Sequence, residues 1–365
     1  MAHRLFALIA GLLLMTHTPA AQAQAAEPVR VAIVGLTHDH VFWLLARPRD
    51  LGDIEIVAVC EANDDLAERR MKEFSLDPSI HYTDLGRMLA ETKPEAVCLF
   101  GDIKSHHPDA IRCLAAGAHV MVEKPLAINY QQAAQMADAA QQAGKSLLTN
   151  YETTWYPSHA ELKRQLDSGE HGAVRRMEFR TGHGGPIEIG CRAEFLEWLL
   201  DPDRNGGGAV TDFGCYGANL ATWLSDGRPP RAVTAVTRQL KPQLYPRVDD
   251  DATLTLEYPD KTVVIQASWN WTHGIKQTTV NAERGELTAL DSGRLRVHAL
   301  EQSAMTIECR PMAGEQRDPF AHLAAVARGG AAPNELSSIE NNLVVMRVLD
   351  AARRSAESGQ RVVLE

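Results

Sequence analysis

The feature that most constrains this chain is a rhythm. Short apolar runs suited to buried strands alternate with amphipathic helical patterns over residues 29–149. Val29–Val34 reads as the first strand and Ile54–Cys60 as the second; Ala96–Phe100, His119–Val122 and Ser146–Thr149 follow. Helical patterns fall between them, at about 40–50, 64–74, 105–116 and 130–143. Continuously apolar strands separated by helices indicate a parallel sheet covered on both faces, with right-handed crossovers. Such a doubly wound sheet takes its ligand outside the carboxyl ends of its strands.

After residue 150 the rhythm changes to long alternating segments: Val174–Thr181, Ala232–Gln239, Ala252–Tyr258, Thr262–Trp269, Lys276–Asn281 and Leu295–Leu300. Alternation suits a sheet with one wet face. Helical stretches are expected near 193–200 and 214–225, closing helices at 319–328 and 338–357, and a last strand at Arg361–Leu364. The expected class is therefore α/β: a Rossmann-like doubly wound parallel sheet over residues 28–150, then an α+β domain with an open, mostly antiparallel sheet over 151–365. The closing helices are expected to pack back on the first domain.

Residues 1–25 read as a secretory signal peptide. A short positive start at Arg4 precedes the apolar run Leu5–Met15, and Ala-x-Ala patterns follow at Ala21/Ala23 and Ala23/Ala25. The run is too short for a stable membrane anchor, so a periplasmic or secreted product is expected. The remaining composition is that of an ordinary globular protein, 45% apolar and 23% charged, which excludes a mainly disordered or coiled-coil chain. A net charge of −10 argues against a general nucleic-acid binder. Six cysteines in an exported chain permit disulfides. Cys60, Cys98 and Cys113, however, lie in apolar patterns that suit buried free thiols.

The turn after the first strand is Gly35-Leu36-Thr37-His38-Asp39-His40. A dinucleotide fingerprint carries glycines at its first, third and sixth positions; here only Gly35 remains, with Thr37 and His40 at the others. Glu61 closes the second strand, where a carboxylate can accept hydrogen bonds from a ribose and would repel a 2′-phosphate, so NAD is favoured over NADP. His38 and His40 alternate and could face one divalent metal, with His106, His107 or His183 as a third ligand; this is the less favoured reading, and no metal ligand is assigned.

Glu123-Lys124-Pro125 closes the fourth strand. A lysine there stands where such a sheet binds ligand, and burial is expected to lower its pKa toward a useful range. Gly206-Gly207-Gly208 leads into Asp212, Tyr216 and Asn219, which share one face if the segment is one helix. A carboxylate, a phenol and an amide suit a polyol. His183 on a glycine-rich loop is a further substrate candidate. Trp269 and Trp271 are read chiefly as packing residues, and Asp249, Asp250 and Asp251 as a solvated strand start.

These pieces resemble the Gfo/Idh/MocA oxidoreductase family. The resemblance rests on Val31-Ala32-Ile33-Val34-Gly35, on Glu61 and His106, and most on Ala116-Gly117-Ala118-His119-Val120-Met121-Val122-Glu123-Lys124-Pro125 and the Gly-Gly-Gly…Asp-x-Gly segment at 206–214. It implies an NAD(P)-dependent oxidoreductase acting on a sugar or polyol hydroxyl, and a homo-oligomer. It implies Lys124, Tyr216 and Asp212 as catalytic, with Lys124 lowering the Tyr216 pKa. Gly35, Thr37, His38, Glu61, His106 and Glu123 would meet the cofactor, and His183, Asn219 and Trp155 the substrate. The Asp-x-Gly-x-Tyr form is similar to the glucose-fructose oxidoreductase branch. Alternatives on the same fold are a sugar lyase, hydratase or glycosidase using bound NAD or a metal at His38/His40, and a non-catalytic carbohydrate-binding protein.

Overall fold

A computed structural model describes residues 27–364; the expected signal segment lies outside them. The first sheet has six parallel strands, β1 (Val29–Val34), β2 (Ile54–Cys60), β3 (His81–Tyr82), β4 (Ala96–Leu99), β5 (His119–Glu123) and β6 (Leu147–Asn150), in the order β3-β2-β1-β4-β5-β6. β4 is buried along its whole length, as a strand covered on both faces must be. The strand order reverses between β1 and β4, which opens a crevice at their carboxyl ends. Polar caps start the intervening helices. Asn63, Asp102 and Asn129 accept the backbone N–H groups of Leu66, Ser105 and Gln132, which satisfies donors that a helix start leaves free.

The second sheet has nine strands: β7 (Val174–Gly182), β8 (Ala232–Arg238), β9 (Asp251–Glu257), β10 (Thr262–Ser268), β11 (Ile275–Ala282), β12 (Gly285–Ala289), β13 (Arg294–Ala299), β14 (Met305–Glu308) and β15 (Val362–Val363). Their order is β14-β13-β12-β11-β7-β10-β9-β8-β15. Only the β7–β10 pair is parallel. Helices Gly214–Trp223 and Ile339–Ser358 pack on this sheet, and the latter also meets helix Tyr130–Ala143 of the first module. Helix Pro319–Ala327 crosses back: its Phe320, Leu323 and Ala324 share a core with Val31, Ile33, Cys98 and Met121. The two modules are thus clamped together by the two C-terminal helices.

Three local expectations change. The helix expected over 40–50 is a single stretch, Val41–Leu45, followed by a 3-10 turn at Arg49–Leu51, because Pro48 biases the residue before it away from helical geometry. Strands β3, β12 and β14 were not expected; β3 is only two residues long, and β14 is largely exposed along its length, so nothing alternates. All six cysteines are free thiols, four of them buried. No helix among the described residues is long and apolar enough to cross a membrane.

Candidate active site

The site is built where two turns face each other. From the first module, β5 ends in Glu123, Lys124 follows it, and the Lys124–Pro125 peptide is cis. From the second comes the Gly206–Gly208 turn, a short helix Ala209–Asp212 and then helix Gly214–Trp223. The second turn is locked. A Cβ on Gly208 would lie 1.8 Å from the Asp249 carbonyl oxygen, so only glycine fits. The Asp249 carboxylate accepts the N–H groups of Gly208 at 2.8 Å and Val210 at 2.7 Å. Asp250 is fully buried and accepts from the Leu240 and Lys241 amides. Asp249 and Asp250 are therefore staples, their carboxylates serving amides that would otherwise be unpaired, while Asp251, half-buried, does open a strand as expected.

The locked turn delivers Asp212. Its Oδ1 lies 2.5 Å from Lys124 Nζ, and its Oδ2 accepts from Trp269 Nε1 at 3.0 Å. Both charged groups are about 6% exposed. Burial alone would push Lys124 down, but the Asp212 carboxylate, with Cys215 and Glu123, outweighs it and the net shift is upward. The expected lowering of Lys124 fails because its partner is a carboxylate at contact distance. Burial works against the Asp212 charge as well, yet Lys124, His183 and Trp269 hold that carboxyl below its usual range. The pair is an ammonium–carboxylate pair.

Tyr216 is 1% exposed, and its ring faces two ammonium groups: Lys124 Nζ at 5.4 Å and Lys276 Nζ at 5.2 Å from the centroid. Burial, then the carboxylates around it, raise its pKa well above the ordinary phenol value. The lowering expected from Lys124 is overturned by burial and the neighbouring carboxylates, Asp212 among them. His183 packs edge-on against Phe213 at 4.9 Å beside Asp212. Lys276 pairs with the half-buried carboxylate of Glu152, which also accepts from Tyr156. Asn219 leaves the site. It is fully buried and its Nδ2 donates to the Leu336 carbonyl at 2.8 Å. The helix breaks at Phe213 and restarts at Gly214, so the one-face spacing from Asp212 does not carry that far.

On the other side of Lys124, Glu123 is 1% exposed. Its Oε1 accepts from Asn150 Nδ2 at 2.7 Å, and Trp155 Nε1 donates to Asn150 Oδ1 at 3.0 Å. The Trp155 indole N–H is thus committed to holding Asn150, and through it Glu123, rather than to a substrate. Glu123 Oε2 lies 2.8 Å from His40 Nδ1. Burial raises Glu123 and lowers His40 to about 3, which disfavours the doubly charged pair. His40 stacks on Trp43 at 3.8 Å. His38 is 1% exposed beneath Phe195 and Trp198. His106 lies behind Pro125, its Nδ1 3.2 Å from that carbonyl, and burial lowers it to about 4. Helix Ala193–Leu199 is strapped over this loop by Arg192 to Asp39 at 3.6 Å and Arg70 to Glu194 at 2.9 Å.

A dinucleotide would run from the end of β2 to the end of β5. Gly35 has φ +80°, and a Cβ there would meet the Gly101 nitrogen at 2.6 Å, so the turn must pass without a side chain. Glu61 sits at the head of the crevice and accepts from the Leu36 and Asn63 amides, leaving further lone pairs toward a ribose. These groups fit NAD at its ribose end, and Glu123–Lys124 fit at the other. The middle is rebuilt: the His38 N–H donates to the Phe100 carbonyl at 2.9 Å and the His40 N–H to His38 Nδ1 at 3.1 Å. In the fingerprint turn, backbone approaches pyrophosphate directly; here two of those amides already have acceptors.

Asn150, Glu152, Trp269 and Lys276 carry roles the sequence analysis did not assign. Asn150 was detectable as a polar residue closing an apolar strand beside Glu123. Trp269 had the weaker signal of an aromatic just after an alternating strand.

Comparison with known proteins identifies both modules. Residues 29–151 match the oxidoreductase family with the NAD-binding Rossmann fold, and residues 159–288 match the GFO/IDH/MocA C-terminal domain. The chain is 23% identical over 361 residues to the D-glucoside 3-dehydrogenase of Escherichia coli (strain K12), covering 94% of this chain and 99% of that one. Among solved structures it is similar to the aldose-aldose oxidoreductase of Caulobacter crescentus complexed with glycerol, with TM-score 0.78, 22% identity and coverage of 93% and 100%. It is also similar to an inositol dehydrogenase homolog of Azotobacter vinelandii complexed with NAD+, with TM-score 0.81, 19% identity and coverage of 93% and 98%. With an NAD-binding Rossmann domain and the matching C-terminal domain on one chain, the protein belongs to the Gfo/Idh/MocA oxidoreductase family.

Proposed function

We propose that this chain is an NAD(P)-dependent oxidoreductase acting on a CH–OH group of a sugar or polyol, NAD being favoured by Glu61. The observation that carries the reading is the buried Lys124–Asp212 pair, 2.5 Å apart, at the carboxyl end of β5. Relatives named for glucosides, aldoses and inositol support the substrate class.

The bound nicotinamide supplies hydride acceptance and donation. The protein's part is orientation and proton handling. Lys124 Nζ holds the proton that moves to or from the substrate oxygen. Asp212 fixes that ammonium, and Trp269 fixes Asp212. Tyr216, kept as a phenol by burial and neighbouring carboxylates, donates a hydrogen bond to the same oxygen. His183 lines the second-module side. With Lys124 charged and Tyr216 protonated at rest, the pair is set to give protons, which suits carbonyl reduction; oxidation requires Lys124 to lose its proton first. Raising the pH should therefore accelerate the oxidising direction relative to the reducing one. We place this activity outside the cytoplasm, after removal of residues 1–25.

The test is a purified mature chain assayed at 340 nm with NAD+ or NADP+ and a panel of aldoses, polyols and glucosides, and with NADH and keto-sugars in reverse. Turnover that disappears in Lys124→Met supports the reading. No nucleotide binding and no turnover in either direction would sink it.

A further inference from the structure

We propose that His38, His40 and Glu123 form a site for one divalent transition-metal ion of the zinc class, beside the Lys124–Asp212 pair. One ring nitrogen of each histidine and one Glu123 oxygen all lie within 4.8 Å of one another. Ligand atoms around tetrahedral zinc stand about 3.3 Å apart, given metal–ligand bonds near 2.0–2.1 Å. The His40–Glu123 contact of 2.8 Å is already shorter than that spacing, so modest side-chain shifts complete the set. Two imidazoles and a carboxylate suit zinc, cobalt, manganese or ferrous iron rather than calcium or magnesium. Three protein ligands leave a position open for a water or a substrate oxygen.

Two further observations point to a ligand. The first is His38. Its Nδ1 accepts the His40 amide, while its Nε2 is buried with no partner. A buried ring nitrogen left without a partner is costly and is expected where something binds. Metal on Nε2 places the ring proton on Nδ1, so the His40 amide gives up its present acceptor on loading. The second is the support behind each ligand. Asn150 holds the free oxygen of Glu123 and is itself held by Trp155; Trp43 fixes the His40 ring, and Phe195 and Trp198 fix that of His38. Ligand sets are oriented by such outer contacts. The third ligand also differs from the sequence expectation: Glu123 joins the cluster, whereas His106, His107 and His183 do not.

This site does not depend on the redox reading, and the two can be separated. The full mature chain, stripped with chelator, is titrated with Co2+ alone while visible absorption is recorded; NAD+ binding is measured separately on the same preparation by fluorescence. One equivalent of Co2+ giving intense d–d bands is expected, with binding weakened at least tenfold in His40→Ala and in the near-isosteric Glu123→Gln. Asn150→Ala should weaken it by about 10-fold as well. Absence of the bands in the wild-type protein, or equal Co2+ binding by the wild type and the folded Glu123→Gln protein, overturns the site. Because the wild-type titration decides by itself, a variant that fails to fold does not shield the idea. NAD+ binding without Co2+ bands would remove the metal and leave the oxidoreductase reading; the reverse result would remove that reading and leave the metal.

Discussion

The two turns that flank the Glu123–Lys124 strand end, one reaching Lys124 through Asp212 and the other Glu123 through His40, obey opposite rules. In the second-module turn, Gly208 and Val210 donate to Asp249, Thr211 donates to the Gly206 carbonyl, and Asp212 is bonded to both Lys124 and Trp269. Every one of these polar groups is matched from within the protein. In the β1 turn, amides are matched by the chain's own carbonyl and imidazole, but His38 Nε2 is left buried and unpaired. The contrast separates two duties. A saturated turn resists deformation and can hold a charged pair out of water. A turn that keeps an unmatched buried nitrogen bears a free-energy cost that a bound group would remove.

The largest effect should come from breaking the saturated turn. Gly208→Ala sets a methyl carbon 1.8 Å from a backbone oxygen, so the loop bearing Asp249 must move. We expect a loss above about 4 kcal/mol, measured by chemical denaturation, or no soluble protein. Gly293→Ala, with nothing near the added carbon, is the control and should be close to neutral. Equal stability of the two variants would show that the turn is softer than its hydrogen bonding implies.

Next in size is the charged pair itself. Lys124→Met leaves Asp212 buried and uncompensated, at a cost of about 3–5 kcal/mol, and removes the proton carrier, at about 10²–10⁴ in turnover. The double variant Lys124→Met/Asp212→Asn should recover most of the stability and none of the turnover. Recovery of both would mean that the pair is structural only.

How far these duties could be read from sequence differs between the turns. Lys124, Asp212 and the three glycines sit in compact motifs whose residue types announce a strand end and a tight turn, and they meet in space. Asn219 was misplaced because the spacing argument assumes one unbroken helix, and a break at Phe213 shifts the phase. Trp269 and Asn150 reach partners on other elements far along the chain, and no local pattern encodes such a pairing. The internal bonding of the β1 turn was invisible for another reason. Whether an amide faces a ligand or a neighbouring carbonyl depends on a few degrees of backbone rotation that residue identity does not set. The six-strand order, in contrast, follows from patterning and handedness rules that act along the whole domain.

A pH experiment sharpens the view of the saturated turn. Burial raises Asp249 to about 6 despite the two amides that favour its charge. The folded state therefore holds this proton more tightly than the unfolded chain, whose carboxyl titrates near 3.9. Between those values the folded protein binds the extra proton, so this group's contribution to stability is fully present below about 4 and falls as pH rises toward 6, by on the order of 2 kcal/mol. Comparing the wild type with Asp249→Asn over pH 4–7 isolates it. The variant should lack this slope; identical slopes would mean that Asp249 titrates alike in both states.

The smallest effect is expected in the β1 turn, and its smallness is the point. His38→Asn keeps an acceptor for the His40 amide and deletes the unpartnered Nε2, at the expense of ring packing against Phe195 and Trp198. Loss of packing and removal of an unmatched buried group act in opposite directions, so stability should change by less than about 1.5 kcal/mol. A loss of several kcal/mol in the denaturation midpoint would show that the imidazole is a structural element as firm as Asp249, and the division of duties between the turns would fail. A near-neutral result, in a residue that is 1% exposed, is hard to explain by packing alone, because a buried ring held for structure should be missed when it is cut away.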